Sequence, residues 1–421
     1  MSTKIQTTPC CADQPGQHAL SVAEARQRIL AAVSPLAGAL RVPLRQALGQ
    51  VLAEDLVSRV DVPHQTNSAM DGYALNGDDL PDSGSARLKR IGTSWAGHPY
   101  AGRVGPGECV RIMTGASLPE GADTVVMQEQ VEADEESIRI DARHRRGQNV
   151  RQAGEDLARG QTLLRAGRRI EPVDLGLIAS AGIAEVSVYR RLRVAFFSTG
   201  DELRSLGEPL DPGCVYDSNR YTLYGMLTRL NAEIIDLGVI PDTREDTRRA
   251  FEQAAAMADV VITSGGVSVG DADFVTETLE ALGQINFWKV AMKPGRPLAF
   301  GTVDGAVFFG LPGNPVSVMV TFYQFAQPAL RRMMGETETE VPVMTAITTT
   351  ALKTFPGRTE FQRGRLSQDE NGRLLVTTTG SQGSGVLRSM HEADCLIILP
   401  RDRDQVSAGE EVPVQPFHGL I

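Results

Sequence analysis

The alternation of apolar and polar positions changes character along the chain. Between 193 and 334, the runs Val194-Ala-Phe-Phe197, Glu233-Ile-Ile-Asp-Leu237, Asp259-Val-Val-Ile262 and Val307-Phe-Phe309 alternate with helical stretches at 218–230, 244–257, 272–282 and 315–334. Such alternation predicts a parallel sheet flanked by helices, with strands almost continuously apolar because both faces are buried. Upstream, Ser21-Val-Ala-Glu24 has the form of a capping box, so a helix should run to about Val33. Residues 42–62 read as a connection and an extended segment. From Asn67 to about Arg146, β-prone runs such as Cys109-Val-Arg-Ile-Met113 and Thr124-Val-Val-Met127 sit between Gly/Pro clusters and predict a small β-rich domain. The basic, glycine-rich stretch Arg143–Arg169 reads as a solvated surface segment. After Gly335, alternation over Leu374–Thr379 and the run Cys395-Leu-Ile-Ile-Leu399 predict a terminal all-β module.

Composition narrows the class. A chain of 421 residues suggests about three domains. With 42% hydrophobic, 22% charged and only 5% aromatic residues, aliphatic cores are expected and wholesale disorder is excluded. The 42 glycines and 23 prolines imply many turns and argue against a simple helical bundle. Lys plus Arg (42) against Asp plus Glu (52) gives −10, so neither nucleic acid nor a membrane surface is an expected partner. No apolar run approaches the roughly 20 residues of a membrane span, and Met1–Gln17 has no apolar signal core. A cytoplasmic location is expected. Five cysteines without C-x-x-C spacing suggest neither a disulfide framework nor a zinc site.

In an open parallel sheet, ligands bind beyond the carboxyl ends of the strands. Turn-forming segments with unusual chemistry fall there: Ser198-Thr-Gly-Asp-Glu-Leu203, Thr263-Ser-Gly-Gly-Val-Ser-Val-Gly-Asp-Ala-Asp-Phe274 and Gly310-Leu-Pro-Gly-Asn-Pro315. Ser264 to Gly270 can present bare amides and hydroxyls to a phosphate at a helix start; an ordinary glycine turn capped by Asp271 is the equal alternative. The segment is neither a P-loop nor a dinucleotide fingerprint. Asp201, Glu202, Asp242, Asp271 and Asp273 all lie near strand ends. Carboxylates beside a phosphate cradle suggest magnesium, which takes oxygen ligands and bridges carboxylates to phosphates. Capping and dipole complementarity account for Asp271 and Asp201, leaving Glu202 and Asp273 as the better functional candidates. Lys289, Lys293 and Arg296 sit in a segment stiffened by two prolines and a glycine, which suits oxyanion recognition, although exposed lysines are common. Asn314 can cap the next helix. Asn67-Ser-Ala-Met-Asp-Gly-Tyr-Ala74, Arg111-Ile-Met-Thr-Gly115 and Gly154-Glu-Asp-Leu157 each bring acids or hydroxyls into turns. No H-E-x-x-H or G-x-S-x-G pattern supports zinc or serine-hydrolase chemistry.

Together, S-A-M-D-G-Y-A (68–74), R-I-M-T-G-A (111–116), G-E-D (154–156), S-T-G-D-E-L (198–203), S-G-G-V-S-V-G-D-A-D (264–273), K-P-G-R-P (293–297) and L-P-G-N-P-V-S (311–317) resemble the molybdopterin molybdenumtransferase family, to which the enzyme domain of gephyrin is related. The match is collinear and covers nearly everything after the first 18 or so residues. It implies an elongated homodimer whose subunit has a tail at 1–18, a discontinuous N-terminal domain (19–60 and 150–188), a β-rich insertion (61–149), an α/β molybdopterin-binding domain (189–335) and a C-terminal β-barrel (336–421). It implies insertion of molybdate into adenylylated molybdopterin, with magnesium-assisted cleavage of the phosphoanhydride and release of AMP.

By motif match, Glu202, Asp242 and Asp273 would hold magnesium or orient the anhydride. Ser264, Gly265, Gly266, Ser268 and Gly270 would cradle phosphate, and Lys289, Lys293 and Arg296 would offset its charge. The turn Pro312, Gly313, Asn314 and Pro315 would contact substrate. Asp71, Thr114 and Asp156 would act from the insertion side, with the cleft shared between subunits. Ser317, Arg363 and Ser384 are candidates for molybdate contact. Arg296 stands where many relatives carry lysine, and the tail with Cys10 and Cys11 has no counterpart in the family. A pathway partner of the molybdopterin adenylyltransferase type and apo-enzymes accepting the cofactor are the implied protein partners. The competing expectations are adenylyl transfer from ATP to molybdopterin and a non-catalytic pterin-binding scaffold.

Overall fold

The structure is a computed structural model and describes residues 19–265 and 274–417. Near its start the expected capping box forms: Ser21 Oγ accepts the Glu24 amide, and Glu24 accepts the Ser21 amide. The helix Val22–Ala32 follows. It buries Ala25 and Ile29 in a core cluster that also holds Phe322 and Ala329.

Segments distant in sequence are laced together by short antiparallel pairings: Ala39–Pro43 with Glu185–Tyr189, Leu56–Val57 with Thr162–Leu164, and Asn67–Ser68 with Val150–Arg151. The helix Pro172–Ser180 covers this region, and Leu52, Leu164, Ile178 and Val188 form its core. Between the halves lies a six-stranded sheet in the order Thr124–Met127, Gly72–Leu75, Glu108–Ile112, Ser85–Ser94, Ser137–Asp141, Glu132–Ala133. Its faces bury Tyr73, Leu75 and Val126 on one side and Ala74, Ile112 and Val125 on the other, as period-two alternation requires.

The α/β domain is built on the sheet Glu233–Ile240, Arg193–Thr199, Val260–Ser264, Ala306–Leu311, Pro297–Val303, Gly283–Lys289. The first four strands are parallel. They are the four apolar runs read from the sequence, and every residue of Val260–Ser264 is buried. The last two run antiparallel; Gly283–Lys289 is partly exposed, whereas Pro297–Val303 is mostly buried but its apolar run is cut short by Gly301 and Thr302. Helices Ser218–Arg229, Arg244–Met257 and Phe274–Leu282 flank the sheet. The stretch 315–334 forms helix Pro315–Thr321, a π-helical segment Phe322–Ala326 and helix Gln327–Met333. Buried aromatic pairs such as Phe197–Phe251 and Phe251–Phe308 meet edge-on.

Five strands close into a barrel at the C-terminus: Thr359–Gln368 pairs with both Leu374–Thr378 and Cys395–Leu399, and Met344–Thr348 and Glu411–Pro416 complete the ring. Val376, Ile397, Leu399 and Val414 fill it. Met292–Lys293, from the proline-stiffened segment of the α/β domain, adds as a short parallel strand alongside Thr359–Glu360. That pairing joins the two domains beside the site.

Candidate active site

The carboxyl ends of the parallel strands open onto a cavity of about 1620 Å³, walled on its far side by the barrel. Glu202, Asp242, Gly265, Lys293, Arg296, Pro312, Gly313, Asn314, Pro315, Ser317 and Ser384 all line it, so residues up to 182 positions apart in sequence converge on one cavity. Gly266, Ser268, Gly270 and Asp273, with Asp271, lie outside the described residues, as do Cys10 and Cys11.

The acidic side is made by the turns after two neighbouring strands. Glu202 follows Arg193–Thr199 and Asp242 follows Glu233–Ile240. The Asp242 amide donates to Asp201 Oδ1 at 3.3 Å. Partial burial raises the Asp242 carboxyl above its ordinary value, and the nearby charges of Asp201 and Glu202 push it the same way. Among the described residues no ion pair offsets these three carboxylates, and no three acidic, His or Cys groups are gathered closely enough to hold a metal unaided. Oxygen-only donors under mutual repulsion fit a hard divalent cation that takes its remaining ligands from phosphate and water.

The opposite side is cationic. Lys293 and Arg296 come from the Lys-Pro-Gly-Arg-Pro turn, and Arg358 from the turn just ahead of the barrel strand Thr359–Gln368. Between the two sides, Gly265 has φ +96°, and a Cβ there would approach the Thr199 carbonyl to 2.9 Å, so only glycine suits this turn. The Gly265 amide donates to the Leu311 carbonyl. Asn314 occupies the N-cap position of Pro315–Thr321, yet its side chain makes no capping bond.

Other expected site residues stand elsewhere. Ser264 is buried, its hydroxyl 3.0 Å from that of Ser198, beneath the cavity. Lys289 is exposed at the end of the Gly283–Lys289 strand and does not line the cavity. Arg363 is also absent from the wall. It is 1% exposed, and its guanidinium reaches Ser389 Oγ and the carbonyls of Phe361, Ser381 and Gly383 at 3.0–3.5 Å. Burial pushes its pKa down to about 10. Arg363 therefore braces the loop carrying Ser384 from behind. The Ser384 carbonyl in turn accepts the Val316 amide at 3.0 Å.

Asp71 and Thr114 meet in the insertion domain, where Asp71 Oδ1 accepts both the amide and the hydroxyl of Thr114 at 2.7 Å. Those bonds hold the Asp71 carboxyl below its ordinary range. Neither they nor the exposed Asp156 reach this chain's cavity.

Several lining residues escaped the sequence reasoning. Asp217 caps Ser218–Arg229 by accepting the Arg220 amide, and Asn219 Nδ2 donates to the Gly313 carbonyl at 2.7 Å, pinning the Pro-Gly-Asn-Pro turn. The sequence Asp217-Ser-Asn219 before a helix was a legible capping signal. Phe355 and Arg358 lie in a Pro-Gly turn ahead of a barrel strand, where no periodicity marks them.

An α/β domain with a strand-end cavity, an inserted β-sheet and a terminal β-barrel thus make up a multidomain α/β plus β chain. Residues 20–182 match the MoeA N-terminal region (domain I and II), 195–332 match a family described as "Probable molybdopterin binding domain", and 345–417 match the MoeA C-terminal region (domain IV). The molybdopterin molybdenumtransferase of Haemophilus influenzae is 46% identical over 380 residues, covering 90% of this chain and 94% of that one. Dictyostelium discoideum gephyrin is 31% identical, with 88% of this chain and 58% of gephyrin covered. A solved molybdopterin biosynthesis MoeA protein from Pyrococcus horikoshii superposes with TM-score 0.82 at 29% identity, covering 94% of this chain and all of that one (100%). The chain belongs to the molybdopterin molybdenumtransferase (MoeA) family, whose members are transferases.

Proposed function

We propose that this chain transfers molybdenum from molybdate to adenylylated molybdopterin, cleaving the phosphoanhydride and releasing AMP. One observation carries the assignment beyond family membership: a single cavity holds repelling carboxylates at one end and fixed cations at the other, with a glycine turn between. A diphosphate whose metal side faces Glu202 and Asp242 and whose oxyanion side faces Lys293 and Arg296 satisfies both ends.

Magnesium held by Glu202 and Asp242 would supply charge neutralisation to the phosphates. Gly265 gives the chain close approach to the ligand, and Asn219 keeps the Gly313 turn in place. Ser317 and Ser384 bring hydroxyls to the barrel side, where an incoming oxyanion would lie beside the cations. Cations fixed where charge develops on the leaving phosphate favour bond cleavage.

A homodimer completes the proposal. Asp71, Thr114 and Asp156 lie outside their own chain's cavity, so a symmetric partner would receive them. A cytoplasmic setting accords with the biosynthetic role, and among the described residues no helix is long and apolar enough to cross a membrane.

AMP release from adenylylated molybdopterin, followed chromatographically with magnesium present, tests the activity. Molybdate-stimulated release is expected. ATP consumption with unmodified pterin, or pterin binding with no cleavage, would replace this proposal with an adenylyltransferase or a scaffold.

A further inference from the structure

The cationic wall of the cavity contains more charge than the Lys-Pro-Gly-Arg-Pro turn brings, and it has its own internal counter-ion. Parallel pairing of the short strand at Lys293 with the barrel strand places Lys293 opposite Glu360. The Glu360 carboxylate is 2% exposed and lies 3.4 Å from Lys293 Nζ and 3.2 Å from Arg358 Nη2. Gln362 Nε2 reaches it at 3.4 Å. Phe355 lies against both cations, its ring centroid 5.8 Å from Lys293 Nζ and 5.4 Å from Arg358 Cζ.

Two cations and one carboxylate leave a single positive charge. Every contact to Glu360 is at the long end of the hydrogen-bond range, as expected for one carboxylate shared among three donors. Lys293 and Arg358 remain 40% and 38% exposed, and both line the cavity. Each retains donors beyond those spent on Glu360, because an ammonium has three and a guanidinium five.

We propose that Glu360 is a positioning residue that fixes Lys293 and Arg358 as a two-cation clamp of net charge +1 for a tetrahedral oxyanion, with Arg358 as a second binding cation. This rests on the assignment of the cavity as an oxyanion-accepting active site. Removing Arg358 leaves Lys293 fully neutralised by Glu360, so the clamp loses its net charge as well as one donor. Removing the Glu360 charge at the same time frees Lys293 and restores +1. A carboxylate that merely anchors the barrel strand predicts no such restoration.

The test is equilibrium binding of inorganic molybdate to the full chain, without pterin, by titration calorimetry. Arg358→Gln should weaken binding about tenfold, the scale of one charge-assisted hydrogen bond. Arg358→Lys, which retains the charge, and the double variant Arg358→Gln with Glu360→Gln should each recover most of the loss. In turnover, the Arg358→Gln effect should fall on KM for molybdate rather than on kcat. Unchanged affinity in Arg358→Gln, or a double variant no tighter than that single one, would overturn the clamp. The Arg358 substitutions are at a partly exposed position, so they test it even where the double variant fails to fold. Wild-type protein that releases AMP on molybdate addition, with variants that bind molybdate as tightly as it does, contradicts the clamp alone. Wild-type protein that releases none contradicts the transferase assignment instead.

Discussion

Asp242 and Asp201 approach each other from the ends of adjacent parallel strands, the amide of one donating to the carboxylate of the other at 3.3 Å. This brings acidic groups together before any ligand arrives, at a location where burial already disfavours charge. Such an arrangement stores instability that a cation relieves.

Asp242→Asn should therefore stabilise the ligand-free protein at pH 7, by roughly 0.5 kcal/mol after solvent screening. A carboxyl raised in the folded state makes that state bind more protons than the unfolded chain, so its penalty is present at neutral pH and fades as pH falls toward the ordinary 3.8. Chemical denaturation of both proteins between pH 7 and 4 should show the gap closing on acidification. Magnesium should raise the melting temperature of the wild type more than that of the variant.

Arg363 predicts a structural phenotype. With its guanidinium buried and bonded to the Ser381 and Gly383 carbonyls, Arg363→Ala should lower unfolding free energy by about 3 kcal/mol. Arg363→Lys should recover little, because an ammonium cannot span the same acceptors. Urea unfolding measures both.

Gly265→Ala should lose about 1–3 kcal/mol through backbone strain alone, and more where the Thr199 carbonyl cannot yield. Its melting temperature and its AMP release should both fall. A fully stable, fully active variant would remove Gly265 from the turn's requirements.

Much of this was legible because buried parallel strands print uninterrupted apolar runs: Val194–Phe197 and Val260–Ile262 marked the sheet, and their ends marked Glu202 and Gly265. The Gly283–Lys289 strand was not legible, since an edge strand with partly exposed residues carries no such run, and in the buried Pro297–Val303 strand Gly301 and Thr302 leave only the short run Leu298-Ala-Phe300. Arg363 illustrates another limit. A motif match places a residue at a site, but whether its side chain faces the ligand or braces the loop behind it depends on register across the Thr359–Gln368 strand. Arg358, five positions earlier in the same region, turned out to line the cavity.

The proposed sharing of the cleft between two subunits makes a prediction of its own. Asp71 and Thr114 bond to each other away from their own cavity. Mixing Asp71→Asn with Asp242→Asn under conditions of subunit exchange should restore about a quarter of wild-type activity, because half the dimers are mixed and each has one intact site. No recovery would place the Asp71 function within its own chain or outside the reaction.

The most direct measurement of the central claim is single-turnover AMP release from adenylylated molybdopterin by wild type, Glu202→Gln and Asp242→Asn, with folding verified for each. The account predicts release slowed at least about a hundredfold in both variants, with affinity for the adenylylated pterin little changed. Rates equal to wild type would contradict it, since the anhydride would then be broken without the carboxylates that meet at these strand ends.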